Sequence, residues 1–151
     1  MRTMTIDLPP STNNLFATVT AKNGKAVRVK SKAYKAWLRT AMQQIKLVQR
    51  VRPLPGKVDI DIALFAKQTA RLNSDLDNRL KPILDALVKA GVIEDDKHVE
   101  RITASWKEAG VPSAFVSVTE HKPRPERRRK GEPKLPAQLD IEHDFLNRPG
   151  G

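Results

Sequence analysis

Hydrophobic and polar residues change their spacing several times along the chain, and each change marks an element. Thr3 to Leu8 is short and rich in β-branched residues, which predicts a strand that Pro9-Pro10-Ser11 stops. Leu15 to Thr20 and Ala26 to Lys30 flank Asn23-Gly24, a dipeptide that readily supplies the positive φ angles of a tight hairpin turn. From Ser31 the period becomes helical. Tyr34, Trp37, Leu38, Ala41, Met42, Ile45 and Val48 share one face, and Ser31 is placed to cap the first turn. Pro53-Leu54-Pro55-Gly56 ends that helix. Val58, Ile60, Ile62 and Leu64 then alternate with Asp59, Asp61, Ala63 and Phe65, the period of a half-buried strand with the two carboxylates on its polar outer face.

A second helix is predicted from Asn78 to Ala90, with Leu80, Ile83, Leu84, Leu87 and Val88 on its apolar face. Pro82 is safe only near the first turn, where backbone N–H groups lack helical partners, and this places the cap at Asp77 or Asn78. Gly91 supplies a left-handed stop that lets Val92 pack back on Leu87. Ile102, Ala104 and Trp106 alternate in the next segment, and Ala114 to Val118 makes a final strand. The order β, hairpin, α, β, α, β, β predicts a single α+β domain, a mixed sheet with two helices packed on it. That domain spans residues 1–121. Residues 122–151, with Arg127-Arg128-Arg129-Lys130, lack apolar periodicity and read as a basic, disordered tail.

Charge sharpens the picture. The chain has 151 residues with 28 Lys and Arg against 17 Asp and Glu, a net charge of +11. Such a surplus attracts polyanions, because neutralising phosphates releases their condensed counterions. On the first long helix Lys32, Lys35, Arg39, Lys46 and Arg50 fall within an arc of about 60° at about 100° per residue. Each alone is a solvated cation; together they are a candidate stripe for phosphate contact. There is no long apolar run and no signal-peptide pattern, so a soluble, cytoplasmic protein without membrane contact is expected. The absence of cysteine excludes disulfides, thiolate nucleophiles and cysteine zinc sites. Any metal must be held by oxygen or imidazole.

The chemistry concentrates in Asp75-Leu76-Asp77-Asn78-Arg79-Leu80-Lys81-Pro82-Ile83-Leu84-Asp85, followed by Gly91 and Glu94-Asp95-Asp96. Hydrolysing a phosphodiester at neutral pH requires a nucleophilic water, neutralisation of charge on the nonbridging oxygens and help for the leaving oxygen. Magnesium suits carboxylate and water ligands and commonly takes few protein carboxylates. Asp75 and Asp77, two apart in extended chain, point to the same side and can share a metal. Asp77, Lys81 and Asp85 stand on one helical stripe. Spacing alone leaves open whether Asp95 and Asp96 return to the Asp75 end; a strand pairing alongside the one before Asp75 would bring them there. A capping aspartate with surface carboxylates is an equal reading of the residues by themselves.

The ordered set D-L-D-N-x-x-K-x-x-x-D-A-L, then G-V-I-x-D-D, with Pro9-Pro10-Ser11-Thr12-Asn13 near the start, resembles the RusA family of Holliday junction resolvases over roughly residues 4–120. The resemblance implies that Asp75, Asp77 and Asp96 are metal-binding catalytic aspartates and that Lys81 is an active-site lysine. Asp85 and Asp95 match acidic positions of lesser role, a possible supporting shell. It also implies a homodimer that nicks four-way DNA junctions in pairs, with Mg²⁺ or in its place Mn²⁺. Two symmetric cuts call for two-fold related sites. Asn13, Lys32, Lys35, Arg39, Lys46 and Arg71 are the candidate DNA contacts. Where some relatives carry several arginines before the first motif aspartate, this chain has Arg71-Leu72-Asn73-Ser74.

Two other functions compete: a nuclease of the same fold acting on other branched DNA, and a non-catalytic nucleic-acid-binding recombination accessory protein. A basic RNA-binding protein comes third, since a carboxylate cluster would repel phosphate unless a cation intervened. His98 beside the acidic pair reads as a surface histidine, and Trp37 and Trp106 as core.

Overall fold

The computed structural model describes residues 1–48, 52–71 and 74–123. Six strands and three helices follow in the order β1 (Arg2–Asp7), β2 (Phe16–Thr20), β3 (Ala26–Lys30), α1 (Lys32–Val48), β4 (Val58–Ala66), α2 (Gln68–Arg71), α3 (Leu80–Lys89), β5 (Val99–Glu108) and β6 (Ser113–Glu120). Short 3-10 turns at Thr12–Asn14, Asp77–Arg79 and Asp96–His98 complete them. The main sheet has the order β1-β6-β4-β5. β6 runs antiparallel to both β1 and β4, whereas β5 runs parallel to β4. The fold is α+β, as expected, with the hairpin as a separate two-stranded sheet.

The alternation in β4 has its predicted outcome. Val58, Ile60, Ile62, Leu64 and Ala66 are buried, and they join Met4 and Ile6 of β1 with Ala114, Val116 and Val118 of β6. Over this layer α1 places Tyr34, Leu38, Ala41 and Ile45, and α3 places Ile83, Ala86 and Leu87. Fully burying one such large apolar side chain contributes about 1.5–3 kcal/mol, which is why both helices are held by their apolar faces rather than by propensity. Trp37 and Trp106 are only half-buried at the edge of this core, and the Trp37 indole N–H donates to the Asp7 carbonyl at 3.0 Å.

Local signals largely place the element ends. Ser31 caps α1, its Oγ accepting from the Tyr34 N–H at 3.1 Å. Gly91, at φ 76°, closes α3: its N–H reaches the Val88 carbonyl at 3.0 Å, and the Val92 N–H reaches the Leu87 carbonyl at 2.9 Å. This is the Schellman arrangement, and Val92 is fully buried behind it. The hairpin turn differs from the expected tight dipeptide. Ala21 and Lys25 pair across a three-residue loop, and Gly24 alone takes positive φ, at 77°. A type I turn followed by one left-handed glycine needs only that.

Two further expectations are corrected. No side chain caps α3; the 3-10 turn Asp77–Arg79 leads directly into it, and Pro82 falls in the first α-helical turn, where its missing N–H costs nothing. Asp59 is not on a polar outer face. Its side chain is 6% exposed and is held by Arg101 Nη2 at 2.8 Å and His121 Nδ1 at 2.7 Å, while Asp61 is exposed. β5 and the end of β6 bring those partners, which the pattern within β4 cannot reveal. The predicted tail lies, from residue 124 onward, outside the described residues, as does Arg50.

Candidate active site

β4 ends at Ala66 and the chain then passes through α2 to the Asp75 loop, so α3 must travel back along the sheet before β5 can start. A parallel neighbour to β4 requires such a crossover. The Gly91 stop and a parallel bridge between Leu54 and Ile93 then set the approach to β5. At that approach Asp95 caps the 3-10 turn Asp96–His98, its Oδ1 accepting from the Lys97 N–H at 3.0 Å. That backbone N–H holds the Asp95 carboxyl below its ordinary range. Asp95 thus shapes the turn that presents Asp96.

The turn brings Asp96 to α3. Lys81 Nζ lies 3.1 Å from Asp96 Oδ2 and 3.1 Å from Asp85 Oδ1, tying together carboxylates eleven residues apart. Asp85 in turn accepts from the Tyr34 hydroxyl at 2.6 Å. One chain of polar contacts therefore runs Tyr34, Asp85, Lys81, Asp96 across α1, α3 and the β5 approach. Burial first, and then the hydrogen bond to Asp85, push the Tyr34 phenol well above its usual range. The hydrogen bonds to Asp85 and then Asp96 raise Lys81, so it stands as an ammonium. It is a cation and a proton donor, not a base.

A second network holds the Asp75 end. Asn78 donates from Nδ2 to Asp75 Oδ2 at 3.1 Å, and its Oδ1 accepts from the Thr12 hydroxyl. Arg79 donates from Nη1 to the Pro9 carbonyl and from Nε and Nη2 to Ser74 Oγ, at 2.9 and 2.8 Å. Burial lowers the Arg79 pKa. These contacts fasten the Pro9–Asn13 segment onto the start of the carboxylate motif. Asp77 is exposed, with Oδ1 accepting from the Asn78 N–H at 2.9 Å.

The premise that Asp75 and Asp77 share a side fails, because Leu76 between them is helical, at φ −63° and ψ −46°. Residues two apart on helical backbone do not face each other. Among the described residues, no three Asp, Glu or His side chains converge into a ready metal cage. The donor chemistry nonetheless fits a hard cation: Asp75, Asp77 and Asp96 are all exposed carboxylates, and substrate phosphate and water commonly complete magnesium's shell. Asp96 lines two open hollows, of about 230 Å³ beside Asp85, Val88, Lys89 and Asp95 and about 460 Å³ beside Leu84, Lys97 and the start of β5.

The remaining predicted residues are placed as follows. Lys32, Lys35, Arg39 and Lys46 are exposed along α1, and Asn13 is exposed on the 3-10 turn beside Thr12. Lys35 and Arg39 border a hollow of about 450 Å³ whose floor includes Leu38 and Met42, with Lys89 opposite. Arg71 is half-buried at the end of α2, and its Nε has no hydrogen-bond partner among the described residues. His98 is half-buried, its Nδ1 3.7 Å from Glu94 Oε2. Sequence reasoning missed Thr12, Tyr34, Asn78 and Arg79 as members of the site. The usable signals were a core tyrosine whose hydroxyl needs a partner, and polar residues inside both motif segments.

Comparison with curated proteins finds no match. The family profile described as endodeoxyribonuclease RusA matches residues 7–119. That span contains both networks, all of β2 to β5, the last residue of β1 and all of β6 but its last residue. The chain belongs to the RusA family of endodeoxyribonucleases.

Proposed function

We propose that the protein is a Mg²⁺-dependent, structure-selective endodeoxyribonuclease that resolves Holliday junctions by paired symmetric nicks in DNA recombination and repair. One observation carries the reading beyond family membership: Lys81 joins Asp85 on α3 to Asp96 on the β5 approach, so separate motif segments meet around one ammonium. Residues 1–121 form the catalytic unit and 122–151 a basic tail. Two copies present two sites to the two strands that must be cut.

Asp75, Asp77 and Asp96 are the residues that would hold Mg²⁺, or Mn²⁺ in its place, with substrate phosphate and water completing its shell. When bound, the ion neutralises phosphate charge and lowers the pKa of water for in-line attack. The water oxygen bonds to phosphorus and gives up a proton to solvent as the bond to the 3′-oxygen breaks and that oxygen takes up a proton, leaving 5′-phosphate and 3′-hydroxyl ends that ligase can seal. Asn78 orients Asp75, and Asp85, itself fixed by Tyr34, orients Lys81. Lys81 donates hydrogen bonds to the phosphoryl oxygens or the leaving oxygen. Asp95 fixes the turn under Asp96. Asn13, Lys32, Lys35, Arg39, Lys46 and Arg71 grip the DNA backbone, Asn13 and the four α1 cations being exposed.

The test compares a synthetic four-way junction with linear duplex, three-way and flap DNA, in Mg²⁺ and in EDTA, using the full chain and Asp77→Asn. Paired, metal-dependent nicks on the four-way junction that vanish in the variant, with binding retained or tightened, are expected. Binding tightens because repulsion between carboxylate and phosphate falls. Binding without cleavage in either metal would favour an accessory protein, and faster turnover of flaps or three-way DNA a nuclease for other branches.

A further inference from the structure

The β2–β3 hairpin lies outside the main sheet, yet it starts and ends beside the active site. All five residues of β2 are exposed, as are Ala26, Val27 and Arg28 of β3. Its base is tied where the Ser31 N–H meets the Leu15 carbonyl at 2.9 Å and Ser31 Oγ meets the Asn14 carbonyl at 2.7 Å. Two residues before Asn14, Thr12 bonds the same Asn78 that holds Asp75. The ribbon is therefore an arm hinged at the catalytic carboxylates.

Its charge is of one sign. No carboxylate occurs between Asp7 and Asp59, and Lys22, Lys25, Arg28, Lys30 and Lys32 fall on or next to the hairpin. Arg28 lies over the Phe16 ring at 4.4 Å and Lys30 over the Tyr34 ring at 5.4 Å. Lys22 and Lys25 at the tip are exposed and make no ion pair among the described residues. The register puts Phe16, Thr18 and Thr20 on one face with Lys30, Arg28 and Ala26. Five paired residues extend about 17 Å, and a two-stranded ribbon is of a width that a DNA major groove admits. An arm of this size bearing unpaired cations fits a duplex phosphate backbone.

We propose that the β2–β3 hairpin is a DNA-binding arm that lies along the duplex flanking the cut, with Lys22 and Lys25 contacting backbone phosphates. The position of the cut rests on the nuclease reading above; the contact itself does not. Binding of the full-length protein to a four-way junction, measured without divalent metal across a salt series, separates the two. Each lost phosphate contact should reduce the slope of log K against log salt by about 0.9, so Lys22→Gln/Lys25→Gln should flatten it by about 1.8. Lys107→Gln/Lys122→Gln removes equal charge from exposed positions on or next to the main sheet, outside the hairpin, and should change it far less. Because the chain has no cysteine, Thr20→Cys also gives a unique attachment point for a DNA-cleaving iron chelate. Scission by that probe confined to the duplex arm that each copy of the chain flanks is expected. An unchanged slope in the tip variant, an equal effect from the control, or no scission from Thr20 would overturn the proposal. Failure to nick in Mg²⁺ would instead sink the nuclease reading and leave these results standing.

Discussion

Replacing Lys81 with methionine separates a structural role from a chemical one, because the two roles carry very different magnitudes. The ammonium sits 3.1 Å from each of two carboxylates, but its side chain is 53% exposed and those of Asp85 and Asp96 are 25% and 46% exposed. Ion pairs this open contribute about 0.2–1 kcal/mol each, after screening by water and salt. Lys81→Met should therefore cost about 1 kcal/mol of stability, read as a small shift in the urea midpoint with an unchanged slope. If the same ammonium meets charge developing on the phosphate, its loss should cost about 2.7–4 kcal/mol of barrier, a 10²- to 10³-fold fall in rate. Single-turnover cleavage of a four-way junction at saturating enzyme measures that fall apart from binding. Asp85 and then Asp96 raise the Lys81 pKa. A raised folded-state pKa gives stability that is complete below the unfolded value, about 10.4, and lost as pH rises through the folded one. No loss of activity from Lys81 deprotonation should therefore appear between pH 6 and about 10. A rate loss under tenfold, or one explained by weaker binding or unfolding, would refute the assignment.

Other predictions follow from the two buried polar clusters. Tyr34→Phe deletes a 2.6 Å hydrogen bond to Asp85, and should cost about 1.5–3 kcal/mol in a urea melt, with a slower single-turnover rate because Lys81 loses its fixed partner. A neutral effect on both would show that the phenol does not position the site. At the other cluster the order of effects is the test. Arg101→Leu leaves the Asp59 carboxylate, 6% exposed, short of one of two partners and should cost about 2–3 kcal/mol. Asp59→Leu leaves Arg101, 43% exposed, free to hydrate and should cost less; the reverse order by thermal or urea unfolding would contradict the burial argument.

The sequence was most legible where the physics is local. The alternation of Val58, Ile60, Ile62 and Leu64, the helical spacing from Tyr34 to Ile45, the Ser31 cap and the Gly91 stop each depend on neighbours a few residues away and stand in the structure, whereas Val48, read on the same helical face, is 64% exposed. Asp59 was misplaced because Arg101 and His121 lie 42 and 62 positions further along the chain and meet it only through sheet pairing. The shared side of Asp75 and Asp77 failed for a local reason that spacing hides. A 3-10 turn starts the helix early and makes Leu76 helical, which turns the two carboxylates apart.

The convergence of Lys81 and Asp96 shows why a motif can mark a site without explaining it. Fifteen positions separate the two residues, and nothing in that interval's composition requires them to meet. They meet because β5 must pair parallel to β4, which forces α3 to run back along the sheet, and because Gly91 and Asp95 turn the chain at its end. Residues within the motif segments therefore do two kinds of work. In the proposed function Asp75, Asp77, Lys81 and Asp96 carry the chemistry. Thr12, Asn78 and Arg79 bind the first motif segment to the second, so a substitution there would act on cleavage through the placement of Asp75 rather than by removing a ligand.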